Sequence, residues 1–205
     1  MTDGLPYLIG LTGNIATGKS EVGRILSQLG AKVIDADQVA HAVMEPQGPA
    51  FDQVVETFGP DILREDGRVD RAKLGGIVFR DRAALHRLEA AVHPATIAEV
   101  GRRISHASEP VVVVEAIKLI EAGMHRLYNA LWVVTAPRVL QIKRLRENRG
   151  LSEEEASLRV DAQPPQEEKV ALADRVFVND GDLNELEGKV RAAWAEIRLR
   201  LESEH

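Results

Sequence analysis

Short apolar runs alternate along the chain with longer segments in which apolar residues recur every three or four positions. Val111–Val114 is the clearest short run, since four consecutive β-branched residues suit a strand that is buried on both faces. The other runs of strand length are Tyr7–Leu11, Lys32–Ile34, Leu131–Val134 and Val176–Val178. Strands that alternate with helices favour a parallel sheet. The pattern therefore predicts an α/β fold whose five-stranded parallel sheet is flanked by helices and binds ligands at the carboxyl ends of its strands.

Two amphipathic helices are predicted near the ends of the chain. The first follows the first strand, and Gly30 is placed to end it. Its apolar face consists of Val22, Ile25, Leu26 and Leu29. The second is a long helix near the C-terminus, which we expect to close the domain. Its apolar face consists of Leu186, Val190, Trp194, Ile197 and Leu201.

Two further regions carry helical rather than strand signals, and we expect both to be insertions beside the sheet. In the first, Asp70 is positioned to cap a helix that begins near Arg71. Apolar positions that suggest further helical faces in this region are Leu85, Leu88, Val92 and Ile97. In the second region, Ser152–Glu155 matches a capping box that opens a helix to about Asp161. Pro164-Pro165 then interrupts the helical pattern.

The loop between the first strand and the first helix satisfies the Walker A pattern. Its residues are Gly13, Asn14, Ile15, Ala16, Thr17, Gly18, Lys19 and Ser20. Glycine at positions 13 and 18 lets successive amides point at phosphate oxygens, and the following helix adds its positive end. Lys19 would reach the β- and γ-phosphates, and the Ser20 hydroxyl would bind Mg²⁺. The flanking strand and helix disfavour an ordinary glycine-rich turn, but the motif does not separate kinases from GTPases or ATP-driven machines.

Two acidic residues, Asp35 and Asp37, follow the second predicted strand. A carboxylate there would lie beside the γ-phosphate, where it could position a substrate hydroxyl and accept its proton. Alternatively, Asp37 is the N-cap of the next helix, and the two roles are compatible. The residues alone leave open which carboxylate has that role, and whether Asp35 contacts the substrate or only shapes the end of the strand.

Arginine is dense near the second insertion, at Arg144, Arg146 and Arg149. Guanidinium groups on a mobile lid would neutralise charge on a transferring phosphoryl group and exclude water. For each arginine alone, a solvated helix surface is the alternative. His41 and His93 have no partner at metal-ligand spacing, so spacing assigns them neither a metal nor a base role.

Composition narrows the class of protein. A chain of 205 residues can bury a full core, and a formal net charge of −6 argues against a nucleic-acid protein with a general basic surface. The absence of cysteine excludes disulfides and fits a reducing cytoplasm. No secretory signal is recognisable, and no segment approaches the roughly 20 apolar residues of a membrane span. We expect a cytoplasmic protein that acts on a small molecule without a membrane partner, with its oligomeric state open.

Taken in order, these residues resemble the dephospho-CoA kinase family, whose members phosphorylate the ribose 3′-hydroxyl of dephospho-CoA to complete coenzyme A. The Walker loop is generic, but its combination with Asp35-Ala36-Asp37 and with His93-Pro94 is specific to this family. The resemblance covers residues 9 to about 180. Further matching positions are Leu119-Ile120-Glu121, Gln141, Arg144-Leu145, Gly150-Leu151-Ser152, Gln163, Lys169, Ala173-Asp174 and Asn179.

The resemblance implies a single unit, 1–205, with three parts. A P-loop kinase core at about 1–40, 108–143 and 172–205 would bind ATP with Mg²⁺. A helical insertion at about 41–107 would bind 3′-dephospho-CoA, and a helical lid would occupy about 144–171. The residues implied as catalytic are Asp37, Lys19, Arg144 and Arg149. Those implied to contact the acceptor are Asp35, Asp37, His93 and Lys118, and Asn179 falls where the family approaches the adenine of ATP.

The chain departs from the family pattern at three places. The common family loop has glycine where this chain has Asn14 and Ala16, which should stiffen the loop and keep its phosphate-binding amides. Lys118 enters a stretch that is usually apolar, where it would face the CoA phosphates or solvent. The family's lid arginine stands where this chain has Asn148. The candidates for the lid contact are therefore Arg144, Arg146 and Arg149.

Two other classes of function stay open on the sequence alone. One is another small-molecule kinase of the same fold, acting on a nucleoside, a nucleotide or a shikimate-like alcohol. The other is a nucleotide-dependent switch or adaptor that transfers no phosphate to a metabolite. The lack of an Asn-Lys-x-Asp guanine motif disfavours a GTPase. The arginine cluster and the Asp-Ala-Asp stretch disfavour a switch of either nucleotide type.

Overall fold

A computed structural model describes residues 5–203, which contain a five-stranded sheet flanked by helices. The strands are β1 (Tyr7–Thr12), β2 (Lys32–Asp35), β3 (Val111–Glu115), β4 (Ala130–Thr135) and β5 (Arg175–Val178). They are ordered β2-β3-β1-β4-β5, with β1 parallel to β3 and β4, and with β4 parallel to β5. The predicted α/β fold is confirmed, and each predicted strand is present with ends that differ by no more than one residue.

Helices account for most of the remaining described residues. They are α1 (Lys19–Gln28), α2 (Ala36–Ala42), α3 (Phe51–Phe58), α4 (Arg71–Val78), α5 (Arg82–Ser105), α6 (Arg138–Arg149), α7 (Glu153–Asp161), α8 (Gln166–Val170) and α9 (Leu183–Ser203), with short 3-10 turns at Pro60–Ile62 and Met124–Leu127. Every helix within residues 5–203 is too short or too polar to cross a lipid bilayer.

The chain divides into two compact units, of which the first contains residues 5–34 and 107–203. Its core lies where α1 and α9 pack on the sheet. All four valines of Val111–Val114 are inaccessible to solvent, as the β-branched run predicts. Trp132 of β4 meets Phe177 of β5 edge to face, with ring centroids 5.3 Å apart. On α9, Val190 and Trp194 are buried and Ile197 packs against this core, which confirms the predicted apolar face.

Helix ends follow the local signals in the sequence. Gly30, just beyond α1, has a φ of 102°, a conformation that glycine adopts without steric cost. Asp70 caps α4, because its Oδ1 accepts hydrogen bonds from the two backbone amides at 72 and 73. At α7 the capping box is complete: Ser152 Oγ accepts from the Glu155 amide, and Glu155 Oε2 accepts from the Ser152 amide. These three predictions are confirmed.

The second compact unit, Asp35–His106, is helical. Within it α2, α3 and α4 each contact the long helix α5, which continues through Pro94. The buried side of α5 includes Val92, Thr96 and Val100, and the Thr96 hydroxyl donates 2.9 Å to the Val92 carbonyl oxygen. Because threonine satisfies its hydroxyl within the helix in this way, it takes an inward position. The predicted helical pattern is confirmed in α5, although Ile97, one of its apolar positions, is exposed.

Candidate active site

The Walker loop joins the end of β1 to the start of α1, and two of its glycines are required by close contacts. A Cβ atom at Gly13 would meet the Val134 carbonyl oxygen and would lie 2.7 Å from Thr17 Oγ1. Gly18 has a φ of 97°, and a Cβ atom there would meet the side-chain amide of Asn179. Glycine at both positions therefore lets the loop lie close against β4 and the residue after β5.

The two loop residues that stand where the family has glycine differ in their roles. Ala16 has a φ of 58°, so an alanine occupies the left-handed region that glycine enters at no cost. Asn14 is buried, and its backbone carbonyl oxygen accepts hydrogen bonds from the Thr17 amide at 3.3 Å and the Thr17 hydroxyl at 2.9 Å. Its Nδ2 donates 2.9 Å to the Pro164 carbonyl oxygen. The loop is thus held from within and from a distant segment.

Lys19 and Ser20, the last loop residues, meet one buried carboxylate. Lys19 Nζ lies 3.2 Å from Glu115 Oε1, with only 8% of the lysine and 5% of the glutamate side chain exposed. Ser20 Oγ donates 3.3 Å to the same oxygen. Glu115 is the last residue of β3 and is in register with Leu11 of β1. A Cβ atom at Gly23 of α1 would lie 2.6 Å from Glu115 Oε2, so glycine there gives the carboxylate room.

Glu115 was missing from the residues that the sequence indicated. A signal was present, because a charged side chain directly follows a four-valine run that reads as a buried strand. Ligands of α/β sheets bind outside the carboxyl ends of the strands, so an acidic residue at that end is a candidate for the site.

The hydroxyl of Ser20 and the carboxylate of Glu115 suit a magnesium ion. Mg²⁺ binds hard oxygen ligands and keeps several waters, so one or two protein ligands beside substrate phosphates suffice. Within residues 5–203, histidine, aspartate and glutamate side chains do not gather in groups of three or more that could hold a metal. A magnesium ion held by Ser20 and Glu115 would therefore take its remaining ligands from phosphate oxygens and water.

Arg144 of α6 donates hydrogen bonds to backbone oxygens of the Walker loop. Its Nη1 donates to the carbonyl oxygens of Ala16 at 3.2 Å and Thr17 at 3.4 Å. Its Nη2 donates to the backbone oxygen and to Oδ1 of Asn179, each at 3.1 Å. Asn179 Nδ2 in turn donates 2.8 Å to the Thr17 carbonyl oxygen. Partial burial lowers the pKa of the Arg144 guanidinium group from its ordinary value.

The other two arginines of the cluster lie apart from these contacts. Arg146 is exposed, and its Nη1 lies 3.2 Å from Glu153 Oε2 in an exposed pair with α7. Arg149 is the exposed last residue of α6. The structure thus brings one of the three predicted lid arginines, Arg144, to the Walker loop.

The end of the predicted lid is bonded to the carboxyl side of the sheet. Gln163 Oε1 accepts 2.6 Å from the Ile15 amide of the loop. Lys169 is buried, and its Nζ donates 2.9 Å to the Ile117 carbonyl oxygen and 2.8 Å to Glu121 Oε1. These bonds fix the segment after Glu115, on which Lys118 is exposed.

The remaining predicted residues belong to the unit Asp35–His106. Asp35, and not Asp37, is the N-cap of α2: its Oδ1 accepts 2.9 Å from the Gln38 amide, and its Oδ2 accepts 2.9 Å from Gln38 Nε2. An N-cap residue lies just outside the helix and has an extended backbone. Asp35, at the end of β2, has this conformation. Asp37 lies in the first turn of α2. His93 is exposed on α5 beside Pro94.

We expect His41 to titrate below its ordinary pKa of 6.5, because partial burial lowers the pKa and nearby Arg71 lowers it further. The carboxylates of Asp37, Asp35 and Glu45 raise the pKa, but by less. With the folded pKa below the unfolded one, the unfolded chain takes up the proton first as pH falls. The free energy of unfolding should therefore be retained above pH 6.5 and decrease just below it. Histidine NMR titration should also show a higher pKa for His41 in Arg71→Gln. A pKa at or above 6.5 in the unmodified protein contradicts this expectation.

Comparisons with known proteins bear on the family. A sequence model of dephospho-CoA kinase matches residues 7–185. A dephospho-CoA kinase of Carboxydothermus hydrogenoformans is 45% identical over 179 residues, which cover 86% of this chain and 87% of the relative. A crystal structure from Thermus thermophilus matches with a TM-score of 0.82 and 35% identity, over 94% of this chain and 98% of that chain.

A solved dephospho-CoA kinase from Campylobacter jejuni matches with a TM-score of 0.68 and 28% identity, over 93% of this chain and 96% of that chain. The family match thus spans the Walker loop, both helical regions and the last strand of the sheet. The chain belongs to the dephospho-CoA kinase family.

Proposed function

We propose that the protein transfers the γ-phosphoryl group of ATP to the ribose 3′-hydroxyl of 3′-dephospho-CoA, which yields CoA and ADP, the final step of coenzyme A biosynthesis. The observation that carries the proposal is the convergence of Lys19 and Ser20 on the buried carboxylate of Glu115 at the end of a Walker loop, in a chain of this family. A lysine and a hydroxyl that converge on one carboxylate can bind phosphate and magnesium together. We also propose that the reaction takes place in the cytoplasm.

The phosphate chain would bind to the loop from Gly13 to Ser20. The amides of Lys19 and Ser20 precede the first bonds of α1, which run from the amides of Glu21 and Val22 to the Gly18 carbonyl oxygen, so these two amides can donate to phosphate oxygens. Lys19 supplies a positive charge in a site where little water screens it. Charge that develops on the transferring group would therefore meet donors that are already in place.

The Ser20 hydroxyl and Glu115 would hold Mg²⁺. Once bound there, the ion would neutralise charge on the phosphate oxygens. Glu115 also accepts from Lys19, so the same carboxylate would set the positions of the ammonium group and the hydroxyl. That double use makes Glu115 a positioning residue for the loop as well as a candidate ligand.

The unit Asp35–His106 would bind the CoA part of the acceptor. Asp35 caps α2 through Gln38, and Asp37, which the family resemblance implies as the base, is our candidate for the acceptor hydroxyl. Asp37 would orient that hydroxyl and accept its proton, with orientation the larger contribution, because phosphoryl transfer is usually loose. His93, exposed on α5, and Lys118, exposed on the segment after Glu115, are candidates for contact with the acceptor.

The proposal is tested by the choice of acceptor. ADP release should be measured by a coupled assay with MgATP and, separately, with 3′-dephospho-CoA, adenosine, AMP and shikimate. We expect 3′-dephospho-CoA to stimulate release strongly and the other acceptors to leave it near the rate of ATP hydrolysis. Stimulation by shikimate or a nucleoside alone would indicate a different kinase of this fold, and no stimulation by any acceptor would indicate a nucleotide switch.

A further inference from the structure

We infer that Arg144 is a positioning residue that fixes the Walker loop in its phosphate-binding conformation, and not a lid arginine that contacts the transferring phosphoryl group. The inference rests on the proposed function only in taking the loop as the site of the nucleotide phosphates. Arg144 lies on α6, and its guanidinium group faces the side of the loop formed by the carbonyl oxygens of Ala16 and Thr17.

The donors of Arg144 are already engaged. A guanidinium group carries five N–H donors, two on each Nη and one on Nε. Nη1 donates to the oxygens of Ala16 and Thr17, and Nη2 donates to two oxygens of Asn179. The described contacts therefore use four donors and leave Nε, whereas a bidentate contact with a phosphoryl group needs two parallel N–H donors.

These contacts set the direction of the loop amides. In a trans peptide the C=O and N–H groups point to opposite sides. The Thr17 oxygen accepts from both Arg144 Nη1 and Asn179 Nδ2, which holds it on the Arg144 side. The N–H of Gly18, in the same peptide unit, is then directed to the other side. Arg144 thus acts on the phosphate site through the backbone.

The loop needs such support because it holds a strained residue. Ala16 has a φ of 58°, and non-glycine residues stay in this region only when their surroundings determine the conformation. Ile15 and Ala16 also pack against an apolar cluster that includes Leu145 of α6, the neighbour of Arg144. Helix α6 therefore holds the strained part of the loop by apolar packing and by hydrogen bonds.

A positioning role and a catalytic role predict opposite kinetic effects. If Arg144 orders the loop, its loss weakens the binding of ATP and of ADP alike, because both nucleotides place a phosphate chain on the same amides. KM for ATP then rises, and kcat at saturation stays nearly unchanged. If Arg144 contacts the transferring group only in the transition state, kcat falls and ADP affinity is preserved.

The test compares Arg144→Gln and Arg144→Lys with Arg138→Gln. Arg138 is an exposed arginine of the same helix, with its Nη2 2.7 Å from Asp161 Oδ2. Affinity for MgADP should be measured by calorimetry, and KM and kcat with MgATP and 3′-dephospho-CoA. We expect Arg144→Gln to lower the affinity for MgADP roughly 10- to 100-fold, the effect of losing one or two charge-assisted hydrogen bonds. Its kcat should stay within about twofold of the unmodified enzyme.

The two other variants complete the test. Arg144→Lys should have an intermediate MgADP affinity, because an ammonium group keeps the charge but cannot match the planar fork. Arg138→Gln should bind MgADP as the unmodified protein does. Unchanged MgADP affinity in Arg144→Gln, with kcat reduced about 100-fold or more, would overturn the inference. If circular dichroism shows that Arg144→Gln is unfolded, Arg144→Lys decides by the same criteria. A failure of the proposed function would appear separately, as no transfer to 3′-dephospho-CoA by the unmodified enzyme, while the MgADP affinities still decide the role of Arg144.

Discussion

Lys19→Met is expected to lower turnover with 3′-dephospho-CoA by at least about 10²-fold, the scale for losing one preorganised electrostatic donor. The ammonium group lies in a buried position, where its charge is weakly screened, so water cannot replace it. Methionine keeps the apolar stem of the side chain and removes only the charged end. Steady-state kinetics at saturating MgATP would measure the loss, and near-normal turnover would contradict the assignment of Lys19.

The same substitution should also destabilise the fold, and a second variant tests whether that loss comes from the unpaired Glu115 carboxylate. Removing Lys19 leaves Glu115 as a buried, unpaired charge, which costs about 3 to 5 kcal/mol in comparable sites. The double variant Lys19→Met/Glu115→Gln removes both charges and should recover part of this free energy of unfolding. Turnover should stay low in the double variant. Recovery of turnover together with stability would mean that Lys19 acts only through folding.

Asp37→Asn is expected to lower kcat by about 10²- to 10⁴-fold, the usual contribution of a positioned general base. Asparagine keeps the shape of the side chain but removes the carboxylate charge that would both orient the hydroxyl and take its proton. Affinity for MgADP should be unchanged, because Asp37 lies in the first turn of α2 and the Walker loop is untouched. Kinetics and calorimetry on the same preparation would show whether only the chemical step is affected.

Asp52 offers a matched control for this prediction. It is an exposed aspartate in the first turn of α3, so Asp52→Asn makes the same chemical change in the same unit. Its kcat should equal that of the unmodified protein. Asparagine caps helices as well as aspartate does, so any loss of turnover in Asp35→Asn would report a direct contact with the acceptor. Normal kcat in Asp37→Asn would remove Asp37 from the mechanism.

The regular elements could be predicted because their signals are local. The valine run of β3, the apolar faces of α1 and α9, and the caps at Asp70 and Ser152 each depend on residues close together in the chain. The alternative prediction that Asp37 is the N-cap of α2 was wrong, because Asp35 caps that helix. The strand runs one residue further than its apolar residues do, so the extended backbone position falls at Asp35.

The support of the Walker loop could not be predicted, because it comes from distant parts of the chain. Arg144 reaches Ala16 over 128 positions, and Gln163 reaches Ile15 over 148 positions. The residue types were visible, but only the packing of α6 and α7 shows which arginine faces the loop. Periodicity identifies the buried side of a helix, whereas polar contacts across the fold depend on the direction of single side chains.

The most direct test of the central claim is the position of the transferred phosphate. The protein should be incubated with 3′-dephospho-CoA and ATP whose γ-phosphoryl oxygens carry ¹⁸O, and the product analysed by mass spectrometry and ³¹P NMR. We predict labelled CoA with the phosphate on the ribose 3′-hydroxyl and an equal amount of ADP. Labelled inorganic phosphate without labelled CoA, or a phosphate at any other position, would contradict the account.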